Sequence, residues 1–164
     1  RGDYVMFLDS GMEIDPNGIS MLLEHMEWYN ADIIVGSKRH PASYVMYPLV
    51  RKVLSYGYYQ LVRILFSIKV KDTQAGIKVF RRKTLEKILP NLMERQFAGD
   101  LEMLVAADTM GFKRIYEAPI KMDYEVASFT SAATFQAIRG IFIDTLAIYY
   151  RKNLTNHYKK HRKK

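Results

Sequence analysis

The stretch that decides the fold is YVMFLDSGMEIDP, residues 4–16. Four consecutive apolar residues, the pattern of a buried strand, run directly into Asp9, and Glu13 and Asp15 follow within six positions. Carboxylate oxygens are the ligands that hard divalent cations prefer, so the loop after this strand is a candidate cation site. The alternative is that the acidic residues only end a strand and begin a helix, with Asp15 as the N-cap residue before Pro16.

The rest of the chain alternates between strand-like and helix-like hydrophobic patterns. We predict extended segments at residues 4–8, 33–35, 75–82 and 113–124. We predict helices at residues 16–29, 44–66, 83–89 and 100–110, the last of them closing on Gly111. Strands that alternate with helices indicate an α/β fold whose sheet is mostly parallel.

Composition narrows the class of protein and the kind of site. With 164 residues, of which 49% are hydrophobic, the chain is long enough for one globular domain with a core. The absence of cysteine excludes a disulfide framework and a thiolate metal site. No apolar run approaches the roughly 18 residues that a membrane-spanning helix needs.

The net charge of +8 comes mainly from residues 151–164. This segment contains seven Lys or Arg and no acidic residue, so the remainder of the chain is nearly neutral. We expect a solvated basic tail, which suits either nucleic acid or an anionic membrane surface. Because the rest of the chain carries no nucleic-acid-binding motif, we expect the membrane surface and no nucleic-acid partner.

Three polar loops lie where the predicted strands end or begin. Residues 8–13 (LDSGME) are acidic, residues 36–39 (GSKR) are basic, and residues 71–78 (KDTQAGIK) are mixed. In open α/β sheets, ligands bind beyond the carboxyl ends of the strands. Acidic and basic loops at one edge suit a divalent cation together with a phosphorylated substrate. We favour this interpretation over three separately solvated loops.

Four stretches occur in the order found in family 2 glycosyltransferases. They are GDYVMFLDSGMEIDPNGI (2–19), DIIVGSKRHPASYVMYPLVRKVLS (32–55), VKDTQAGIKVFRR (70–82) and AGDLEMLVAADTMGFKRIYEAPI (98–120). The chain most resembles the polyprenyl- or dolichyl-phosphate sugar synthases, such as dolichol-phosphate mannose synthase and the dolichyl-phosphate β-glucosyltransferases. The resemblance implies a GT-A fold, which is Rossmann-like, and a Mg²⁺ or Mn²⁺ ion. It also implies transfer of a hexose, with inversion, from a nucleotide sugar to a polyprenyl phosphate.

The resemblance runs from residue 2 to about residue 124 and departs from the family in two places. The family's amino-terminal half, which grips the nucleotide base, has no counterpart in this sequence. We therefore expect an acceptor-side half-domain at residues 1–127 and an amphipathic helix with a basic tail at 128–164. The second carboxylate of the family's Asp-x-Asp metal motif is Gly11 here, which weakens the metal site.

The resemblance implies roles for five residues that would meet the ion or the acceptor. Asp9 would bind the ion, with Glu13 as a second ligand. Lys38 or Arg39 would hold the phosphate of the lipid acceptor, together with Arg51 on the long helix. The alternative for Arg51 is a solvated helix residue. A lipid phosphate is already anionic at neutral pH, so it can attack without a strong general base.

Five further residues would surround the donor. Asp72, Thr73 and Gln74 would line the sugar, and Lys78 would face the phosphates. Asp100 matches the acidic residue that the family places near the sugar or the acceptor. The resemblance therefore implies a catalytic role for Asp100 together with Arg51. The alternative for Asp100 is a carboxylate that stabilises the helix by its position at the N-terminus.

The segment before the basic tail has the spacing of an amphipathic helix. Phe135, Ile138, Phe142, Leu146 and Tyr149 recur along TFQAIRGIFIDTLAIYYRK, residues 134–152. A helix of this kind followed by basic residues predicts reversible binding to a membrane surface. The alternative is a helix packed on the core.

The sequence thus predicts a peripheral glycosyltransferase at the cytoplasmic face of a membrane. Two other interpretations remain open: a family 2 enzyme for a cell-surface polysaccharide, and a non-catalytic, membrane-associated fragment. A homo-oligomer is possible. The sugar, the nucleotide and the lipid length cannot be read from these residues.

Overall fold

A computed structural model describes residues 2–9, 14–45, 49–94, 98–122 and 135–160, with the backbone alone at 49–51 and 135. The strands are β1 (Tyr4–Leu8), β2 (Ile33–Ser37), β3 (Tyr44–Val45), β4 (Ile77–Arg81), β5 (Ile115–Pro119) and β6 (Lys121–Met122). The helices are α1 (Ile19–Trp28), α2 (Leu49–Phe66), α3 (Arg82–Ile88), α4 (Gly99–Met110), α5 (Phe135–Asn153) and α6 (His157–Lys160). Short 3₁₀ turns cover Pro16–Gly18 and Leu89–Asn91.

The four-stranded sheet has the order β1-β4-β2-β5 and is mixed. The predicted α/β class is confirmed, but the prediction of a mostly parallel sheet is wrong. Strand β4 runs antiparallel to both β1 and β2, and only the β2–β5 pair is parallel. The reason lies in the loop after α2, which brings Ile77 opposite Leu8, so β4 starts at the edge where β1 ends and runs back.

Successive residues of each strand point to opposite faces of the sheet, and two cores form in consequence. Ile33 and Phe80 lie in the larger core, which α2, α4, α5 and α6 cover. Ile34 and Val79 lie in the smaller core, which α1 covers with Leu22 and neighbouring residues.

Helix termini follow the predicted capping residues. The Asp15 carboxylate accepts a hydrogen bond from the Asn17 backbone N–H at 2.9 Å, and Pro16 occupies the first position of the turn that leads into α1. Gly111 closes α4 with φ 105°, a left-handed conformation that glycine adopts without strain. Both predicted caps are confirmed.

The long helix α2 begins later than predicted, at Leu49 instead of residue 44. Tyr44 and Val45 form strand β3, which pairs in parallel with β6. The Tyr44 N–H donates to the Ile120 carbonyl at 3.1 Å, and the Ile120 N–H donates to the Ser43 hydroxyl at 3.0 Å. These tertiary partners hold the segment extended, which a local helical pattern cannot reveal. Pro48 lies outside the described residues.

The carboxyl-terminal helices close the larger core. Tyr158 on α6 is fully buried and donates to the Glu102 carboxylate on α4. Arg151 forms ion pairs with Glu94 and Glu102, and the Lys152 ammonium donates to the Phe66 carbonyl at 2.8 Å. The expectation of a uniformly solvated basic tail is therefore wrong for residues 151–158, because buried carboxylates and carbonyls take up their polar groups. Residues 161–164 lie outside the described part.

Helices α5 and α6, which lie within residues 128–164, share this core with residues 1–127, since Ile148 and Tyr158 pack in the same cluster as Ile33. Among the helices in the described ranges, none has the length and apolar character needed to cross a bilayer.

Candidate active site

A cleft lies at the edge of the sheet where β1 and β2 end and β4 begins. The empty space of the cleft, including the part that opens to solvent, is about 390 Å³. Its lining combines a carboxylate, an ammonium and an amide with apolar side chains: Asp9, Ile14, Lys38, Gln74, Gly76, Ile120 and Met122. Each of the three polar loops therefore contributes at least one residue to the same space.

Asp9 is held at the cleft through its backbone. Its N–H donates to the Gly76 carbonyl at 2.7 Å, directly after β1. A Cβ at Gly76 would lie 2.9 Å from the Asp9 Cβ, so this close approach requires glycine. The carboxylate forms no hydrogen bond or ion pair with the residues that the structure describes. Asp9 is also exposed, so a ligand in the cleft can reach it from solvent.

Asp72 bonds to the neighbouring basic loop, residues 36–39, at Lys38. Its carboxylate accepts the Lys38 backbone N–H at 2.8 Å and lies 3.8 Å from the Lys38 Nζ. The Asp72 side chain is only 5% exposed, and Thr73 is equally buried. Of the three residues predicted to line the donor sugar, Gln74 alone lines the cleft.

Lys78 is enclosed by protein groups. Its ammonium donates to Asp100 Oδ1 at 2.8 Å and to the Ala75 carbonyl, and the side chain is 1% exposed. Burial lowers the pKa of Lys78, and the Asp100 carboxylate opposes that shift. This ion pair connects the first turn of α4 to the start of β4. Asp100 is 38% exposed, so it still meets solvent.

The two arginines predicted to bind the acceptor lie on the α2 side. The Arg39 guanidinium donates to the Ser55 hydroxyl at 2.7 Å and lies 5.0 Å from the centre of the Tyr59 ring. Lys38 and Arg39 therefore diverge, one toward the cleft and one toward α2. Arg51 occupies the first turn of α2, and its side chain lies outside the described part, as does all of Glu13.

Residues 1–89, which carry the carboxylate loop, the basic loop and the mixed loop, match the family described as "Glycosyl transferase family 2". The chain belongs to this family. The cleft is therefore the candidate active site of a family 2 glycosyltransferase.

Curated relatives of this family 2 chain are named as glycosyltransferases, and two of the following three have names that include a polyprenyl phosphate. It is 28% identical over 151 residues to "Glycosyltransferase AglD" of Haloferax volcanii, a match that covers 92% of this chain and 24% of the relative. It is 29% identical over 116 residues to "Dolichyl-phosphate beta-glucosyltransferase" of Dictyostelium discoideum, covering 67% and 36%. It is 29% identical over 120 residues to "Undecaprenyl-phosphate mannosyltransferase" of Micrococcus luteus, covering 72% and 48%. The chain thus spans between about a quarter and a half of the length of these relatives.

Whether a metal ion fits the cleft of this family 2 chain depends on the Asp9 carboxylate. No group of three or more His, Asp or Glu that could share a metal occurs among the described residues. Mg²⁺ is nevertheless commonly held by one or two carboxylates, with water and substrate phosphates as its other ligands. Asp9, whose oxygens have no described protein partner, fits that arrangement. Gly11 and Glu13 lie outside the described residues, so their effect on the ion stays a prediction.

Two contacts near the cleft involve residues that the sequence did not single out. The Glu117 carboxylate on β5 accepts the backbone N–H groups of Lys71 and Asp72 at 3.0 and 3.1 Å. Tyr58 on α2 accepts from the Gln74 amide at 3.4 Å, and burial raises its pKa. A charged residue in the middle of a predicted extended segment, as Glu117 is, was a usable signal. Nothing in the helical pattern marks Tyr58.

Proposed function

We propose that this protein transfers a hexose from a nucleotide sugar to a polyprenyl phosphate, with inversion at the anomeric carbon. The observation that carries the proposal is that Asp9 and Lys38 line the same cleft, which is open to solvent, in a family 2 chain. Both reactants of such a transfer are phosphorylated. A site for them needs positive charge for the phosphate oxygens and a carboxylate for a divalent ion.

The chain's own residues would bind and orient the reactants. Lys38 would neutralise phosphate charge, and Gln74 would hydrogen-bond to sugar hydroxyls. Asp9 would hold Mg²⁺ or Mn²⁺, which when bound supplies charge stabilisation for the departing diphosphate. The acceptor phosphate attacks as an anion, so orientation and electrostatics are asked to supply most of the rate enhancement.

Asp100 and Arg51 complete the proposal. The Lys78 ammonium holds one oxygen of Asp100, and the partial exposure of that carboxylate leaves it able to contact the sugar or the acceptor. Arg51, at the start of α2, would contact the lipid phosphate together with Arg39. We propose that the acceptor approaches from the side of α2, where the Arg39 guanidinium lies.

A lipid acceptor requires a site beside a membrane, and the outer faces of two helices suit one. On α5, Phe142, Ile143 and Leu146 are between 43% and 51% exposed, and on α2, Val53 and Ile64 are at least 70% exposed. Lys159 and Lys160 on α6 add exposed positive charge. An amphipathic face with basic residues nearby binds anionic leaflets reversibly. We propose peripheral association with the cytoplasmic face of a membrane.

The test is a transfer assay with the protein expressed from its complete reading frame. Labelled UDP- and GDP-hexoses are offered with dolichyl or undecaprenyl phosphate in detergent, and the lipid-linked product and its anomeric configuration are measured. We expect transfer that needs the lipid phosphate and falls roughly 10²-fold in Lys38→Met, the size of effect seen when one electrostatic contact is removed.

Lys83→Met, at an exposed lysine on α3, is the matched control and should retain full activity. Transfer to a polysaccharide acceptor without lipid phosphate would support the alternative enzyme instead. Absence of transfer to any acceptor, in a protein that melts cooperatively, would contradict the catalytic proposal.

A further inference from the structure

We propose that Glu117 is a positioning residue for this transfer: it fixes the turn at residues 71–74 and, through Asp72, sets the place of Lys38 in the cleft. The inference rests on the proposed function, since the group it positions is the phosphate-binding lysine. Glu117 itself is not among the residues that line the cleft.

The first step is the contact between Glu117 and the turn. One carboxylate oxygen, Oε1, accepts the N–H groups of two successive residues, Lys71 at 3.0 Å and Asp72 at 3.1 Å. Strands β2 and β5 pair in parallel with Val35 opposite Glu117, two residues before Ser37 ends β2, and the Glu117 side chain extends from there to the turn. The turn approaches this end of β2 from the end of α2.

The second step runs from the turn to the cleft. Asp72 has its backbone N–H bonded to Glu117, while its buried carboxylate accepts the Lys38 N–H at 2.8 Å. Lys38 follows the last residue of β2, and its side chain lines the cleft beside Asp9. With its main chain and its carboxylate both engaged by protein groups, Asp72 acts as the connection between Glu117 and Lys38.

A carboxylate suits this task better than another side chain would. Two adjacent backbone N–H groups that lose their acceptor carry a desolvation cost, and an ionised oxygen accepts hydrogen bonds more strongly than an amide does. Without Glu117, the turn is free to relax toward water, and Asp72 moves with it. Because a displacement of about 1 Å at a reacting group can cost roughly 10²-fold in rate, the effect should reach catalysis.

The experiment compares Glu117→Ala and Glu117→Gln with the wild type, in the protein expressed from its complete reading frame. Glu117→Ala should lower kcat/KM for nucleotide sugar and polyprenyl phosphate by about 10²-fold. Glu117→Gln keeps one acceptor oxygen and should recover most of that loss. Glu24→Ala, at an exposed glutamate on α1, is the matched control and should behave as the wild type.

A double-mutant cycle separates positioning from a general loss of stability. If Glu117 acts through Lys38, adding Glu117→Ala to Lys38→Met should cost little further activity, because contacting residues in one network are not additive. Full additivity of the two losses would overturn the proposal. So would a Glu117→Ala variant with wild-type kinetics.

Amide hydrogen exchange without any substrate gives a readout that does not depend on transfer. Glu117→Ala should increase exchange at residues 38–40 and 71–74 and leave α4 unchanged. Unaltered exchange at those residues, or an increase throughout the chain, would overturn the positioning role. A wild type that transfers no sugar would overturn the proposed function and the kinetic role with it, while exchange would still decide whether Glu117 holds the turn.

Discussion

Four carboxylates near the cleft differ in what they already bond. Asp15 caps a turn, Asp72 holds the basic loop, and Asp100 pairs with a buried lysine. The Asp9 carboxylate has no hydrogen-bond or ion-pair partner among the described residues. At the scale of single residues, this difference makes Asp9 the carboxylate that we propose binds the ion.

Asp9→Asn and Asp15→Asn should therefore differ in their effect on transfer activity. We expect Asp9→Asn to abolish metal-dependent transfer with little change in stability, because it removes the anionic ligand and breaks no described side-chain contact. Asp15→Asn should keep the activity, since asparagine also caps helix termini well. Transfer rates over a Mn²⁺ titration, with a melting curve for each variant, measure both effects. Equal losses of activity in the two variants would contradict this division.

The site could be predicted from sequence only as far as the loops. The ends of β1 and β2 meet at one edge, so Asp9 and Lys38 could be expected near each other from their positions alone. Gln74 precedes β4 and reaches the same edge because β4 runs antiparallel to β1 and β2, which the sequence did not predict. The burial of Lys78 and Thr73 could not be predicted from the sequence, since it depends on α4 and on the path of the chain before β4. Nor could the sequence show that Lys38 and Arg39 point to different sides.

At the scale of elements, local patterns predicted which segments are strands and helices better than they predicted directions. Strand β4 has the same apolar pattern whether it runs parallel or antiparallel, and only the path of the preceding loop decides. Helix α2 was predicted too long because Tyr44 finds backbone partners beside β6. Pairing between distant segments is the information that a single sequence lacks.

The close packing around Gly36 on β2 gives a prediction about stability. A Cβ there would lie 2.3 Å from Ile77 Cγ2 and 2.6 Å from Ile120 Cγ2. Gly36→Ala should therefore destabilise the fold by about 1–3 kcal/mol through overpacking. Gly57→Ala is the control: a Cβ there meets nothing within 4 Å in the middle of α2, and it should stabilise by about 0.5–1 kcal/mol. Urea denaturation measures both, and a Gly36→Ala protein as stable as the wild type would contradict the packing.

At the scale of the whole molecule, helix α5 has one face packed on the core and an exposed apolar face, and only the first of these tests an interpretation of its sequence. Its inner face, with Ile148, packs in the larger core, while Phe142 and Leu146 remain 46% and 43% exposed. The helical spacing showed that the segment is amphipathic but not how wide its apolar surface is. An outer apolar face on a helix already packed on the core is what a membrane contact requires.

Binding to vesicles should separate the apolar contribution from the charge. Phe142→Ser with Leu146→Ser should weaken binding to anionic vesicles at every salt concentration, since it removes burial worth at most about 1.5–3 kcal/mol per side chain. Lys159→Gln with Lys160→Gln should weaken binding at low salt only, because charges are screened over about 8 Å at physiological ionic strength. Co-sedimentation with vesicles, alongside melting curves, measures these effects.

The control is Trp28→Ser on α1, which is 73% exposed on the other side of the sheet and should bind as the wild type does. A wild-type protein that stays in the supernatant with anionic vesicles at low salt would contradict the membrane proposal.

The burial of Tyr158 has a consequence for how the protein is made. Its ring fills the core beside α4, and its hydroxyl bonds to Glu102, which was synthesised much earlier. During translation the core therefore stays open on this side until Tyr158 has left the ribosome exit tunnel. A nascent chain that stalls before that codon presents the apolar surface around Leu104 to chaperones.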